Sequence, residues 1–213
     1  QGAMLSPYAV DRHVANLTGP DAGTLSGRPA FESRVRMRVG ADLDAVPAQG
    51  VLPRGAEIGV GTHSGRLRVV GDSTQHSWAV ATDLRIALGA GVEVRGEAYR
   101  GRLLRGLGGG AIGQNFGTLA AASEPGVPLT DTAGWLQLNA QLRPGLVSGV
   151  GCGTDRVHGA AADRRRNSVC AAHAMWRPRQ PLLLAVEYRD LRTRYAAGVR
   201  RGSHLNIGLG IEL

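Results

Sequence analysis

The sequence predicts an all-β fold: an antiparallel up-and-down transmembrane β-barrel, with about nine or ten strands visible and belonging to a larger, even-stranded barrel. Three observations predict it. From residue 31 onward, apolar and polar residues alternate through nine segments, the period of a strand with one apolar and one wet face. No run approaches the roughly eighteen apolar residues of a membrane helix, whereas a membrane strand needs only about ten residues, every second one apolar. The connections between segments alternate short and long, an asymmetry expected of periplasmic turns and extracellular loops.

Residues 1–30 form a weakly patterned N-terminal segment with a strand candidate in 2–14, and residues 31–213 carry the barrel strands. In the first strong segment, 31–43, Phe31, Val35, Met37 and Val39 share one face while Glu32, Arg34, Arg36 and Arg38 share the other. Three arginines on one face of a strand are costly against a dry core but are solvated by a water-filled lumen. Segment 56–67 sets Ile58 and Val60 against Glu57 and His63. Segment 77–88 points Trp78, Val80, Leu84 and Ile86 out, and Asp83 and Arg85 in.

The connection Gly89-Ala90-Gly91 turns the chain into 92–103, because glycine reaches the positive φ that short hairpins require. There Val92 and Val94 oppose Glu93, Arg95, Glu97 and Tyr99. The stretch 105–131 is too long and glycine-rich for a plain turn, and loops of this length are commonly functional. Alternation resumes in 133–143, with Leu136, Leu138 and Leu142 against Trp135, Gln137, Asn139 and Gln141. Pro144-Gly145 turns it into 146–155. Segments 167–177, 182–195 and 203–213 follow. The Arg-rich stretches 156–166 and 196–202 are expected to be longer outer connections.

Strand parity places Arg34, Arg36, Arg38, Glu57, Asp83, Arg85, Glu93, Arg95, Glu97, His173, Glu187, Arg189, His204 and Asn206 on the inward, pore-lining face. Cross-strand ion pairs that brace the wall and a charged aqueous path are both compatible with this set, and an Arg-rich lumen implies a mild anion preference. Trp78, Trp176 and Tyr188 fall on the lipid face. Cys152 and Cys170 flank the 156–166 connection with the same parity; a cross-strand disulfide and two small thiols both fit.

Net charge is +8, and all 25 cations are arginine. A GC-rich genome accounts for that bias as readily as phosphate recognition does, and no aromatic platform accompanies the arginines as nucleic-acid binding would require. The outer-loop arginines 164–166 and 200–201 are candidates for lipopolysaccharide phosphates. His63, His173 and His204 have no Ser-His-Asp or metal-ligand spacing, so no enzyme, metal or cofactor is expected. The run Gly106-Leu107-Gly108-Gly109 lacks the Lys-Ser/Thr of a phosphate loop.

At the C-terminus, Asn206-x-Gly208-x-x-Ile211-x-Leu213 resembles the terminal insertion signal of bacterial outer-membrane barrels, with Leu213 where the usual final aromatic stands. Together with Asn139-Ala-Gln-Leu-Arg-Pro, His173-Ala-Met-Trp-Arg-Pro and Leu184-Ala-Val-Glu-Tyr-Arg, it makes 31–213 similar to the C-terminal half of porin-like outer-membrane proteins. That resemblance implies residence in the bacterial outer membrane and insertion by the barrel-assembly machinery. It also implies contact with outer-membrane lipid and lipopolysaccharide, homo-oligomers, passive diffusion of small polar or anionic solutes, and a 105–131 loop that narrows the pore. A non-conducting structural, adhesive or enzymatic barrel and a soluble β-barrel binding protein are the alternatives. Bacterial single-chain barrels have even strand counts, so further strands are expected upstream, unless 2–14 completes a small barrel.

Overall fold

The computed structural model describes residues 2–5, 26–40, 54–68, 73–104, 116, 127–159, 162–179 and 181–211. Most of the N-terminal segment, most of the 105–131 loop, and Leu213 of the insertion signal lie outside these residues. Ten strands form one sheet in strict chain order: β1 (Gly2–Leu5), β2 (Ala30–Val39), β3 (Ala56–Arg68), β4 (Thr74–Gly89), β5 (Val92–Arg102), β6 (Thr130–Arg143), β7 (Leu146–His158), β8 (Arg164–Trp176), β9 (Leu182–Tyr195) and β10 (Gly198–Ile211). Every neighbouring pair is antiparallel, from β1 on β2 to β10 on β9. Among the described residues β1 and β10 do not pair, so the sheet is an open, partial barrel.

The two faces separate as the alternation predicts, and burial tells them apart. On the apolar face Val35 is 75% exposed and Ile207 80%, with Val60, Leu136, Val150 and Leu205 also exposed. On the charged face Glu93 is fully buried, and Asn139 nearly so. This polarity is inside-out for a water-soluble protein, where a broad exposed apolar surface is unstable. The charged face is the concave one: a Cβ on Gly59 would come within 2.5 Å of the Asp83 carboxylate, and one on Gly149 within 2.2 Å of Asn139 Oδ1. Curvature crowds side chains on the inside and spreads them on the outside, and glycine on β3 and β7 makes room for that crowding.

The hairpins at one end follow the turn chemistry. Gly89, Ala90 and Gly91 all have positive φ (90°, 48° and 74°) and join β4 to β5. Gly145 (φ 76°) joins β6 to β7, and a Cβ there would press within 2.5 Å of the Arg177 carbonyl oxygen. At the other end the expectation of longer connections fails in part. The β9–β10 link is the two-residue turn Ala196-Ala197, and Arg200 and Arg201 lie in β10. Arg164 to Arg166 likewise belong to β8. Thr154 and Ser168 hydroxyls bond across β7–β8, and Arg164 and Arg200 both stack on Tyr195, so side-chain contacts hold the ladder through the Arg-rich stretches.

Buried apolar residues gather at that same end, on the concave side. Leu67 and Leu103 pack together with Phe116 from within the long loop, and Leu129 packs with Val157 and Ala162. The Leu103 N–H donates to the Leu129 carbonyl at 3.2 Å, which draws the two roots of the loop together.

Candidate functional site: the charged concave face

Register, read strand by strand, assembles this face into transverse rows. One runs Arg38, Glu57, Arg85, Arg95, Gln137, Gly151, Ala171, Arg189, His204 from β2 to β10. The row beneath it carries Glu93, Asn139, Gly149, His173, Glu187 and Asn206. Arg36, Asp83 and Glu97 lie in the row above, and Arg34 one row higher. All fourteen sequence-predicted residues therefore share the concave face.

Eleven of them form three clusters, which leave out Glu97, His173 and His204. Around Glu57, Arg38 Nε donates to Oε2 at 2.8 Å and Arg36 Nε reaches Oε1 at 3.0 Å, while Arg34 bridges Glu57 (3.8 Å) and Asp83. Around Glu93, Arg85 donates at 2.7 Å, Arg95 donates from the same strand, and Asn139 Nδ2 donates at 3.1 Å. Arg85 and Arg95 are direct cross-strand partners, a repulsive juxtaposition that the shared carboxylate neutralises. Around Glu187, Arg189 donates at 2.6 Å and Asn206 Nδ2 at 3.0 Å. His173 and His204 lie beside this last cluster by register, with no metal-binding group of three acidic, His or Cys side chains among the described residues.

Within each cluster the carboxylate is the more buried partner. The Glu57 side chain is 15% exposed against 30–38% for its three arginines, and that of Glu93 is 1% against 23% and 36% for Arg85 and Arg95. Arginine is long enough to bridge a carboxylate at its base while its tip stays in water. The surface offered to the concave space is therefore mainly guanidinium, although acids are nearly as numerous as arginines among these residues. Between β6 and β9 the wall recedes: Gly151, Gly153 and Ala171 leave a trough of about 210 Å³ edged by Trp135, His173 and Arg189.

One constellation escaped the sequence reading. Glu32 and His63 are direct cross-strand partners, with His63 Nδ1 at 3.1 Å from Glu32 Oε1 and Nε2 at 3.2 Å from Ser77 Oγ. Gly65 makes room for the imidazole, since a Cβ there would lie 3.3 Å from Nε2. The order Glu-His-Ser has the connectivity of a hydrolytic triad. Ser77, however, is 3% exposed beneath the loop root and also donates to the Leu103 carbonyl at 3.3 Å. Its oxygen is closed to a substrate carbonyl; the adjoining cavity of about 420 Å³ is bordered by His63 and Tyr99, and Ser77 does not line it.

On the opposite, apolar face Cys152 and Cys170 are direct cross-strand partners and are disulfide-bonded. Trp176 and Tyr188 share that face, while Trp135 and Tyr99 point into the concavity.

No family model and no curated protein matches the chain. Among solved structures it is similar to the outer membrane channel DcaP of Acinetobacter baumannii, with a TM-score of 0.66 at 12% sequence identity, over 85% of this chain and 50% of that one. The fold is that of an outer-membrane barrel. The chain spans about half the length of that channel, and the open sheet is the corresponding part of a barrel wall.

Proposed function

We propose that this chain forms wall of a porin-like channel in the bacterial outer membrane, through which small polar solutes diffuse passively with a mild preference for anions. The observation that carries the reading is the inside-out polarity: exposed aliphatic side chains on the convex face, and carboxylates covered by guanidinia on the concave one. A bilayer solvates the first and water the second. An anion passing the Glu57 and Glu93 clusters meets arginine first. Likeness in fold to an outer membrane channel agrees with this. Insertion by the assembly machinery through Asn206, Gly208, Ile211 and Leu213, and association of copies in the membrane, belong to the same reading.

Planar-bilayer recording of the purified protein tests it. Discrete conductance steps, with a reversal potential in a salt gradient displaced toward the anion value, are expected. Silent bilayers would instead favour a second reading, a non-conducting barrel. One observation supports that alternative: at one end of the charged face Leu67 and Leu103 pack with Phe116, and Leu129 packs with Val157, in apolar clusters. Stable monomers without detergent would dismiss both. Catalysis is no part of the proposal, because the Ser77 hydroxyl is buried and donates its one proton to the Leu103 carbonyl.

A further inference from the structure

The convex face is aliphatic near the short hairpins, and its character changes toward the other end. Reading up from Leu182 and Ile211, the transverse rows pass Leu184 and Leu209, Val186 and Ile207, then Tyr188 and Leu205. Above the disulfide row they become cationic. One row runs Arg100, Thr132, Arg156, Arg166, Arg194 across β5 to β9, and the row just below it ends in Arg192 and Arg201. Arg156 is paired directly with Arg166, Arg166 with Arg194, and Arg192 with Arg201. Like charges directly opposite on one face destabilise a sheet, and the concave face never leaves such a pair without a shared acid. Here, among the described residues, none of these five arginines has a carboxylate within ion-pair distance. Asp190, one row below, is the one acid on the convex face of the described strands. Arg166 is held across the β7–β8 seam by a 3.0 Å bond from Nε to Thr154 Oγ1. Arg156, Arg165, Arg166 and Arg194, with His158, line a cleft of about 550 Å³.

We propose that this cleft binds the phosphate groups of a lipid headgroup in the leaflet around the barrel. Three guanidinia in line supply forked donors matched to phosphate oxygens. The height is right for a headgroup: from Leu182 to Arg192 the strand covers eleven residues, and a tilted strand crosses the hydrocarbon in about 9–11. Aliphatic rows for acyl chains thus lie directly under a cationic row for phosphates, a vertical order that a free anion would not require. The proposal rests on the reading that the convex face meets a bilayer, but not on conduction.

The test uses the refolded chain in phosphatidylcholine vesicles, with or without bis-phosphorylated lipid A, and with enzymatically dephosphorylated lipid A as the third arm. Retained lipid is read by native mass spectrometry, and conductance is recorded in parallel. The phosphorylated lipid should be retained preferentially, and R156Q/R166Q/R194Q should lose that preference by about tenfold or more, each charge-assisted pair being worth up to such a factor, while conducting as the parent does. Equal retention of phosphorylated and dephosphorylated lipid, or an unaffected triple variant, would overturn the proposal. So would displacement of the lipid by inorganic pyrophosphate at equal concentration, which would make the cleft a free-anion site. If the triple variant fails to fold by heat-modifiability, R194Q alone is read by the same criteria. Loss of conductance with lipid selectivity retained would count against the channel and leave this site standing.

Discussion

Glu93 shows how one residue organises its surroundings. Its carboxylate is fully buried, takes hydrogen bonds from Arg85, Arg95 and Asn139, and separates two guanidinia that the register sets opposite each other. Removing one member of a buried, hydrogen-bonded charge group commonly costs about 3–5 kcal/mol, since the remaining charges lose their neutralisation. E93Q is therefore expected to lower the urea midpoint of the protein in vesicles well beyond E97Q, whose carboxylate is exposed on the same face. Equal midpoints would mean that the cluster does not brace the wall. Ser77 makes the contrasting case. Its bonds to His63 and Leu103 and its burial predict no labelling by a fluorophosphonate probe, and S77A should alter stability alone. Covalent labelling at Ser77 would reopen a hydrolytic reading. Such a cluster is invisible in sequence, because Glu32, His63 and Ser77 come from three strands and only the register brings them within reach.

At the scale of the element, the strands were legible because a period of two leaves little choice of face. Once Val92, Val94, Glu93 and Arg95 alternate, a one-residue slip would turn every charge onto the apolar face, so parity alone placed the charged set on one side. Strand length was less legible. Arg164 to Arg166 and Arg200-Arg201 read as solvated loop, yet they continue the ladder, where Arg166 bonds across to Thr154 and Arg164 and Arg200 lie over the Tyr195 ring. The two-residue turn at Ala196-Ala197 carries no Gly or Pro signal of its own within the turn. The β7–β8 hairpin combines both features: a cationic upper half, whose opposed arginines repel, and the Cys152–Cys170 bond just below. Closing a loop of this size (sequence separation 18) removes unfolded-state entropy worth about 3 kcal/mol. Thiol reduction, or C152A/C170A, should lower the thermal midpoint measured by heat-modifiability, with the larger loss at low salt, where Arg156–Arg166 repulsion is least screened. A midpoint indifferent to reductant would show that the ladder holds this hairpin unaided.

For the whole molecule, the question is which sign of charge the concave space presents, and counting residues does not answer it. Acids and arginines are comparable in number; their depth differs. Arg34, Arg36 and Arg38 stand from one strand over Glu57 and Asp83, their tips exposed and the Glu57 carboxylate largely covered. An ion within a few ångströms of that wall is nearer to guanidinium than to carboxylate, and at low ionic strength the difference is poorly screened, since the Debye length is about 30 Å at 0.01 M and about 3 Å at 1 M. Replacing all three by glutamine uncovers two carboxylates and removes three positive charges from one quadrant of the wall. In a potassium chloride gradient the reversal potential of R34Q/R36Q/R38Q should therefore move from the anion side toward the cation side. The displacement should be largest in dilute salt and vanish in concentrated salt. A shift that persisted unchanged at high salt would assign the effect to altered pore shape instead of charge. An unshifted reversal potential in an otherwise conducting variant would mean that ions pass elsewhere, and that these arginines serve only to hold the wall.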